Sequence, residues 1–188
     1  MSEYSSHLSP IDINTAEPLA KAVLDKAQAQ VGFIPNMYSN MVNMPGLLDT
    51  YLTGYTAFRE QGNFNSDEQE VVFLTISREN ECHYCVAAHS MLADTMSGVP
   101  TNVTNAIRQG SVIEDSKLAV LHDFTHHMLM TQGRPDDNAV QLFLDAGYSE
   151  RQVLAIILAI SVKTLSNYSN HIFDTELDAM FQDRAWHK

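Results

Sequence analysis

The side chains with reactive chemistry in this 188-residue chain gather in one short stretch, Glu81-Cys82-His83-Tyr84-Cys85-Val86-Ala87-Ala88-His89. Cys82 and Cys85 are the only cysteines, spaced C-x-x-C, and His89 follows the second by four positions. On a helix, Cys82 and Cys85 are i,i+3 neighbours and Cys85 and His89 are i,i+4 neighbours, so all three share one face. The cysteines fall in the first helical turn, where unpaired backbone N–H groups and the positive dipole end favour a thiolate. That arrangement suits thiol redox chemistry: one thiolate attacks an oxidant or disulfide, and the other resolves the product as an intramolecular disulfide. His89 is the natural base for Cys85.

Two elements must position this group. Ser66-Asp67-Glu68-Gln69 reads as a capping-box start for a helix over 67–78 that carries Val71, Val72, Phe73, Leu74 and Ile76. Asn80 is expected to cap a second helix, from about 81 through 96, that breaks at Gly98-Val99-Pro100. If the pair folds back about Glu79-Asn80, residues equidistant from the turn face each other, and Glu70 and His89 are such a pair. Glu70 then orients the His89 ring and stabilises its cationic form. Two plainer readings use the same residues. Cys82, Cys85 and His89 are three zinc ligands, but a structural site wants four and no second C-x-x-C or H-x-x-x-H completes it locally. The cysteines are otherwise inert core residues.

The rest of the chain reads as scaffold. Residues 1–16 look irregular; Pro18 opens a helix that Gly32 stops, and Pro45 opens another bearing Leu47, Leu48, Tyr51, Leu52, Tyr55 and Phe58. Met37, Met41 and Met44 recur at helical spacing, as core or as part of an apolar pocket beside the thiols. Further helices are expected over 101–109, over 117–131 behind Ser116, after Pro135-Asp136-Asp137, and from 150 to about 171 behind Ser149-x-x-Gln152. Asp174 or Thr175 begins a last amphipathic helix with Leu177, Met180 and Phe181. His122 and His126 are i,i+4 and read as a solvated polar face rather than a metal grip, since no further ligand is indicated. Asn167, Asn170 and His171 are polar at the end of an apolar helix, as surface caps or as residues lining the site.

No stretch shows the β-branched alternation of strands, so the chain is expected to be all-α, a single domain of roughly eight helices. Ser149-Glu150-Arg151-Gln152 echoes Ser66-Asp67-Glu68-Gln69, which suggests an internally duplicated helical unit with the chemistry in the first copy alone. With 45% hydrophobic residues the chain can bury a full core, and a net charge of -12 argues against nucleic-acid or anionic-membrane partners. The polar N-terminus lacks the apolar region of a secretory signal, and the longest apolar run, 153–160, is too short to span a bilayer. A reducing cytoplasmic setting is therefore expected, in which a close cysteine pair is redox-active rather than a structural staple.

The pattern Glu70, eleven residues, Cys82-x-x-Cys85-x-x-x-His89 resembles the active-site signature of the AhpD-like (alkylhydroperoxidase D) branch of the carboxymuconolactone decarboxylase superfamily. Asn80-x-Cys82-x-Tyr84-Cys85-x-x-Ala88-His89 looks most like its uncharacterised peroxidase-related members, and the resemblance covers about 32–171. It implies an all-helical bundle assembling as trimers or hexamers, and a thiol-dependent peroxidase in antioxidant defence with no bound cofactor. Cys85 then attacks the hydroperoxide, Cys82 closes the disulfide, and Glu70 and His89 relay protons. An external thiol or lipoyl-type carrier is the reductant. AhpD has histidine at the place of Tyr84, whereas here His83 stands one residue earlier; Tyr84 either substitutes as a hydrogen-bond donor or only packs. Two alternatives remain: a carboxymuconolactone decarboxylase-like lyase, which does not depend on the cysteine pair, and a thiol–disulfide carrier or redox sensor that ignores peroxides.

Overall fold

A computed structural model of the chain describes residues 4–187; the irregular segment expected over 1–16 lies outside the described residues at 1–3, as does the last position, 188. The described residues are all-α, without strands. The elements run α1 Pro18–Val31, α2 Asn36–Met41, α3 Pro45–Gln61, α4 Ser66–Glu79, α5 His83–Leu92 with a π-helical continuation Ala93–Ser97, α6 Thr101–Gln109, α7 Ser116–Met130, α8 Asp137–Asp145, α9 Glu150–Phe173 and a 3₁₀ turn Ala179–Arg184.

The helix ends follow local chemistry. Pro18 and Pro45 occupy first-turn positions, where the missing N–H is no loss, and Gly32 takes the left-handed C-cap conformation (φ 89°). Three starts differ from expectation by one residue or more. The box that opens α4 is Asn65 with Glu68, whose carboxylate accepts from the Asn65 N–H at 2.9 Å, rather than Ser66 with Gln69. Gln69 is turned inward, donating to the Phe64 carbonyl and accepting from Arg59. Asp115, not Ser116, caps α7. Asn80 closes α4, and Glu81 turns the chain in the left-handed region (φ 55°), so Cys82 is the N-cap of α5. At Ser149 the capping box forms as read, with Gln152 accepting from the Ser149 N–H. The two echoed motifs thus sit one position apart relative to their helix starts.

α4 is the central rod: every residue from Glu68 to Ser77 is buried, and it packs against α5, α6, α7 and α9. One apolar cluster joins α4 to α6, α7, α8 and the first half of α9; the other joins α1, α2, α3 and α5 and contains both cysteines. α3 and α9 approach closely at Gly54, where an added Cβ would come within 2.7 Å of Val162 Cγ2. That approach sets the neighbours of Val162 against α3. Among the described residues α9 alone is long and apolar enough to cross a membrane, and 50% of its most apolar window is buried inside the fold.

The C-terminal segment departs most from the sequence reading. Asp174 ends α9 in the left-handed region (φ 45°), the chain runs extended, and only the 3₁₀ turn follows, not an amphipathic α-helix. Leu177 and Phe181 have helical spacing, but the segment is held by tertiary bonds instead. Asp178 accepts from Tyr84 and from the Asn36 N–H, and Arg108 donates to the Arg184 and Ala185 carbonyls.

Candidate active site

Four helices bring their polar residues to one buried point. The α4–α5 hairpin places Glu70 Oε2 2.7 Å from His89 Nδ1, as the fold-back spacing required. Glu70 is 1% exposed and His89 4%, and the other Glu70 oxygen ion-pairs with Arg59 of α3. Arg59 also donates to Tyr55 Oη at 2.6 Å and lies over the Tyr55 and Phe73 rings. A carboxylate only accepts, so His89 carries its proton on Nδ1 and leaves Nε2 as an acceptor. Into that acceptor, at 2.8 Å, points Lys163 Nζ from α9.

Lys163 is fully buried (0% exposed) on the inner face of α9, one turn from Ala159 and Asn167. The same face supplies the sulfur contacts. Asn170 Nδ2 lies 3.2 Å from Cys85 Sγ and 3.6 Å from Cys82 Sγ, and Ser166 Oγ lies 3.9 Å from Cys85 Sγ. Both cysteines are free thiols, 0% and 2% exposed.

The surroundings separate the two thiols. Burial by itself would push Cys85 up, but the hydrogen bond from Cys82, the charge of Lys163, His89 and the Ser166 hydroxyl together hold it well below the ordinary thiol range. Cys82 moves the other way, raised by burial and by its hydrogen bond to Cys85 and that sulfur's charge. His89 is lowered, by burial first and then by Lys163, against the pull of Glu70. Glu70 is also lowered: burial opposes its charge, and His89 and Arg59 overcome that cost. These directions favour a thiolate at Cys85 over one at Cys82, a neutral imidazole at His89 and a carboxylate at Glu70. Such a cysteine pair can attack an electrophilic oxygen or sulfur and close a disulfide.

Of the residues singled out from the sequence, Cys82, Cys85, His89 and Glu70 converge. Asn170 lines the sulfurs, whereas Asn167 accepts from Asn80. Tyr84 turns away: its hydroxyl donates to Asp178 and its ring meets Phe181 edge-on at 5.7 Å. His83 is exposed, its ring against Trp186 and His187. Both nitrogens of His89 are engaged, so the zinc reading lacks its third ligand, and His122 and His126 pair with Asp123 and Glu79. Among the described residues no three His, Cys, Asp or Glu side chains are arranged to hold a metal ion. Met37 and Met41 pack in the cysteine cluster while Met44 is exposed, and neither of two surface cavities of about 220 and 250 Å³ is lined by a cysteine.

Sequence reasoning missed Lys163, Arg59 and Ser166. Lys163 had a signal: it is the one Lys or Arg between 152 and 183, set within an apolar helix at a position on its buried face. Arg59 had a weaker one, i,i+4 from Tyr55 on an apolar face. Ser166 had none.

No protein-family model and no curated protein sequence matches the chain. Solved structures do match its fold. An uncharacterized peroxidase-related protein from Ralstonia eutropha JMP134, described as an alkylhydroperoxidase AhpD core, superposes with a TM-score of 0.79 at 16% identity over 96% of each chain. A peroxidase-related protein from Silicibacter sp. TM1040 gives 0.75 at 17% identity over 98% of each. The debrominase Bmp8 gives 0.75 at 17% identity over 96% of each, and a variant of it has been crystallised with 2,3,4-tribromopyrrole. The chain has the AhpD-like helical fold.

Proposed function

We propose that the chain is a thiol-dependent peroxidase that reduces an organic hydroperoxide with its cysteine pair. The observation that carries this reading is the setting of the two sulfurs: both are buried free thiols, Asn170 Nδ2 and Ser166 Oγ lie at Cys85 Sγ, and the surroundings favour a thiolate at Cys85 over one at Cys82. Cys85 attacks the peroxide and becomes a sulfenic acid; Cys82 then displaces water from it and forms the disulfide. Glu70 and His89 stand as a hydrogen-bonded pair behind the sulfur, and an external thiol or lipoyl-type carrier restores the cysteines. The lyase reading draws no support from a thiolate so positioned, because lactone decarboxylation does not use it.

The same proposal includes a cytoplasmic, reducing setting and self-association. For the latter, Leu154, Ile157, Tyr168 and Ile172 form an exposed apolar stripe along α9, suited to a second copy of the chain.

The test is turnover by reduced protein against a panel of alkyl hydroperoxides, hydrogen peroxide, a protein disulfide and 2,3,4-tribromopyrrole, with intact mass after each. Peroxide loss matched by one Cys82–Cys85 disulfide per molecule consumed is the expected result. Exchange with the protein disulfide alone makes the chain a carrier, and loss of bromide in place of peroxide moves it to the debrominase's chemistry.

A further inference from the structure

The site holds a buried cation to which the peroxidase reading gives no part in proton transfer. Lys163 Nζ is fully buried and donates to His89 Nε2 at 2.8 Å. It also lies 5.6 Å from the centre of the Phe73 ring, and the nearby carboxylate, Glu70, is already shared between Arg59 and His89. A buried ammonium without an anion is costly, so a counter-charge must come from elsewhere in the cluster. The ionisable groups that interact with one another around Cys85 and His89 are Tyr38 on α2, Tyr51, Tyr55 and Arg59 on α3, Glu70 on α4, and Cys82, Cys85 and His89 on α5. Other acids of α3 and α4 pair elsewhere, Asp49 with Lys26, Glu68 with Lys117 and Glu79 with Arg78. The tyrosines Tyr38, Tyr51 and Tyr55 are all held neutral by burial first. Cys85 is the group left to balance Lys163. With it the charges at the site close: partly buried Arg59 against Glu70, and Lys163 against a Cys85 thiolate.

We propose that Lys163 is the charge partner of the Cys85 thiolate and the source of the proton for the oxidation step. This rests on the peroxidase reading only for the identity of the leaving atom. In that reading the Cys85 sulfur attacks the terminal peroxide oxygen, an S–O bond forms and the O–O bond breaks. The expelled alkoxide takes its proton from Lys163, leaving an alcohol, a Cys85 sulfenic acid and a neutral amine. Cys82 then gives up its proton and attacks Cys85 sulfur; the S–S bond forms, the S–O bond breaks, and water leaves. Sulfur has lost two electrons and the peroxide has gained them. A dithiol reductant returns two electrons and two protons, one of which recharges Lys163. Neutral His89, fixed by Glu70, positions the Lys163 amine throughout.

The experiment compares wild type with Lys163→Met and Lys163→Arg, each shown to be folded by its circular dichroism and melting. It reads the pH profile of cysteine alkylation and the single-turnover rate with an organic hydroperoxide. Lys163→Met is expected to slow alkylation near neutral pH about tenfold or more. Lys163→Arg is expected to keep the wild-type alkylation profile, because it keeps the charge, yet to lose about a hundredfold in the peroxide step, because arginine holds its proton. An unmoved profile in Lys163→Met, or wild-type peroxide rates in Lys163→Arg, overturns the proposal.

Unmodified protein gives a second reading that needs no variant. The ultraviolet thiolate band is expected to show one thiolate per reduced chain near neutral pH. Oxidation of that sample by diamide, which consumes two electrons and two protons, then takes no proton from the buffer. A missing thiolate band, or uptake of one proton per disulfide, overturns the assignment. Alkylation and diamide readouts use no peroxide, so a chain inert to peroxides but dependent on Lys163 for its thiolate loses the peroxidase reading and keeps this one.

Discussion

Lys163 Nζ and His89 Nε2 meet at 2.8 Å although they stand 74 positions apart in the chain. The contact fixes the His89 tautomer from one side as Glu70 fixes it from the other at 2.7 Å. It also changes the role first read for His89. That ring does not face Cys85 as an open base; its free nitrogen is occupied, and the sulfur's hydrogen-bond contacts are Asn170 and Ser166. Thiolate stabilisation here comes from a cation and amide and hydroxyl donors, with the imidazole behind them.

Replacing Cys85 by serine is expected to abolish peroxide consumption, whereas Cys82→Ser should complete one turnover and stop at a sulfenic acid. Trapping with dimedone and intact mass spectrometry distinguish the two. Equal loss of the first turnover in both variants would contradict the roles assigned to the sulfurs.

Asn170→Ala removes the amide donor nearest Cys85. A hydrogen bond to a charged group is worth about 1.5 kcal/mol or more, so the Cys85 thiol should titrate about one pH unit higher. The alkylation profile checks this, and Asn170→Ala with an unchanged midpoint would remove Asn170 from the site's electrostatics.

Glu70→Gln leaves the partly buried Arg59 guanidinium without its anion. Breaking a buried pair from one side costs about 3 kcal/mol, which denaturant unfolding of the variant should register. A loss near zero would mean that Arg59 swings to solvent, and the Glu70→Gln, Arg59→Met double variant would then be no more stable than the single.

Acid should destabilise the fold in stages. His89 is lowered in the folded state by burial and then by Lys163, so the unfolded chain binds the proton that the folded chain refuses. Its contribution is complete above about pH 6.5 and drains away as pH falls below that value. Glu70, lowered because His89 and Arg59 overcome its burial, adds a second loss in the carboxylate range near about pH 4.3. The Cys85 thiol, held well below its ordinary range in the folded state, adds a loss of its own below about pH 8.5 in the reduced protein. Calorimetric melting temperatures of reduced protein should therefore fall throughout the descent from pH 8; a rise on acidification from neutral pH would contradict these assignments.

Access to the sulfurs is expected to be gated by the C-terminal strap. Phe181 is buried in the cysteine cluster against Tyr84, and Asp178 holds the Tyr84 hydroxyl. Phe181→Ala should raise the alkylation rate of the reduced pair at any fixed pH without moving its midpoint. An unchanged rate would place the route elsewhere.

Much of this architecture was legible in local sequence because local rules set it. Pro18, Pro45, Gly32 and Gly110 mark helix ends whose chemistry needs no tertiary partner. The Glu70–His89 contact was also legible, since a hairpin of two helices makes distance from the turn a coordinate. What was hidden depends on the third dimension. Lys163 becomes a site residue only when α9 lies across the α4–α5 hairpin, and Arg59 only when α3 and α9 close upon Gly54. The C-terminal turn misled for the same reason: Leu177 and Phe181 are spaced for a helix, but Tyr84, Asn36 and Arg108 hold the segment in another shape.

The most direct measurement is site-resolved alkylation of reduced wild-type protein near pH 6, about two units below the ordinary thiol range. Mass spectrometry should find the label on Cys85 alone, with Cys82 unmodified until the pH is raised. Label appearing first on Cys82, or on both cysteines together only in the ordinary thiol range, would contradict the thiolate on which the proposed chemistry stands.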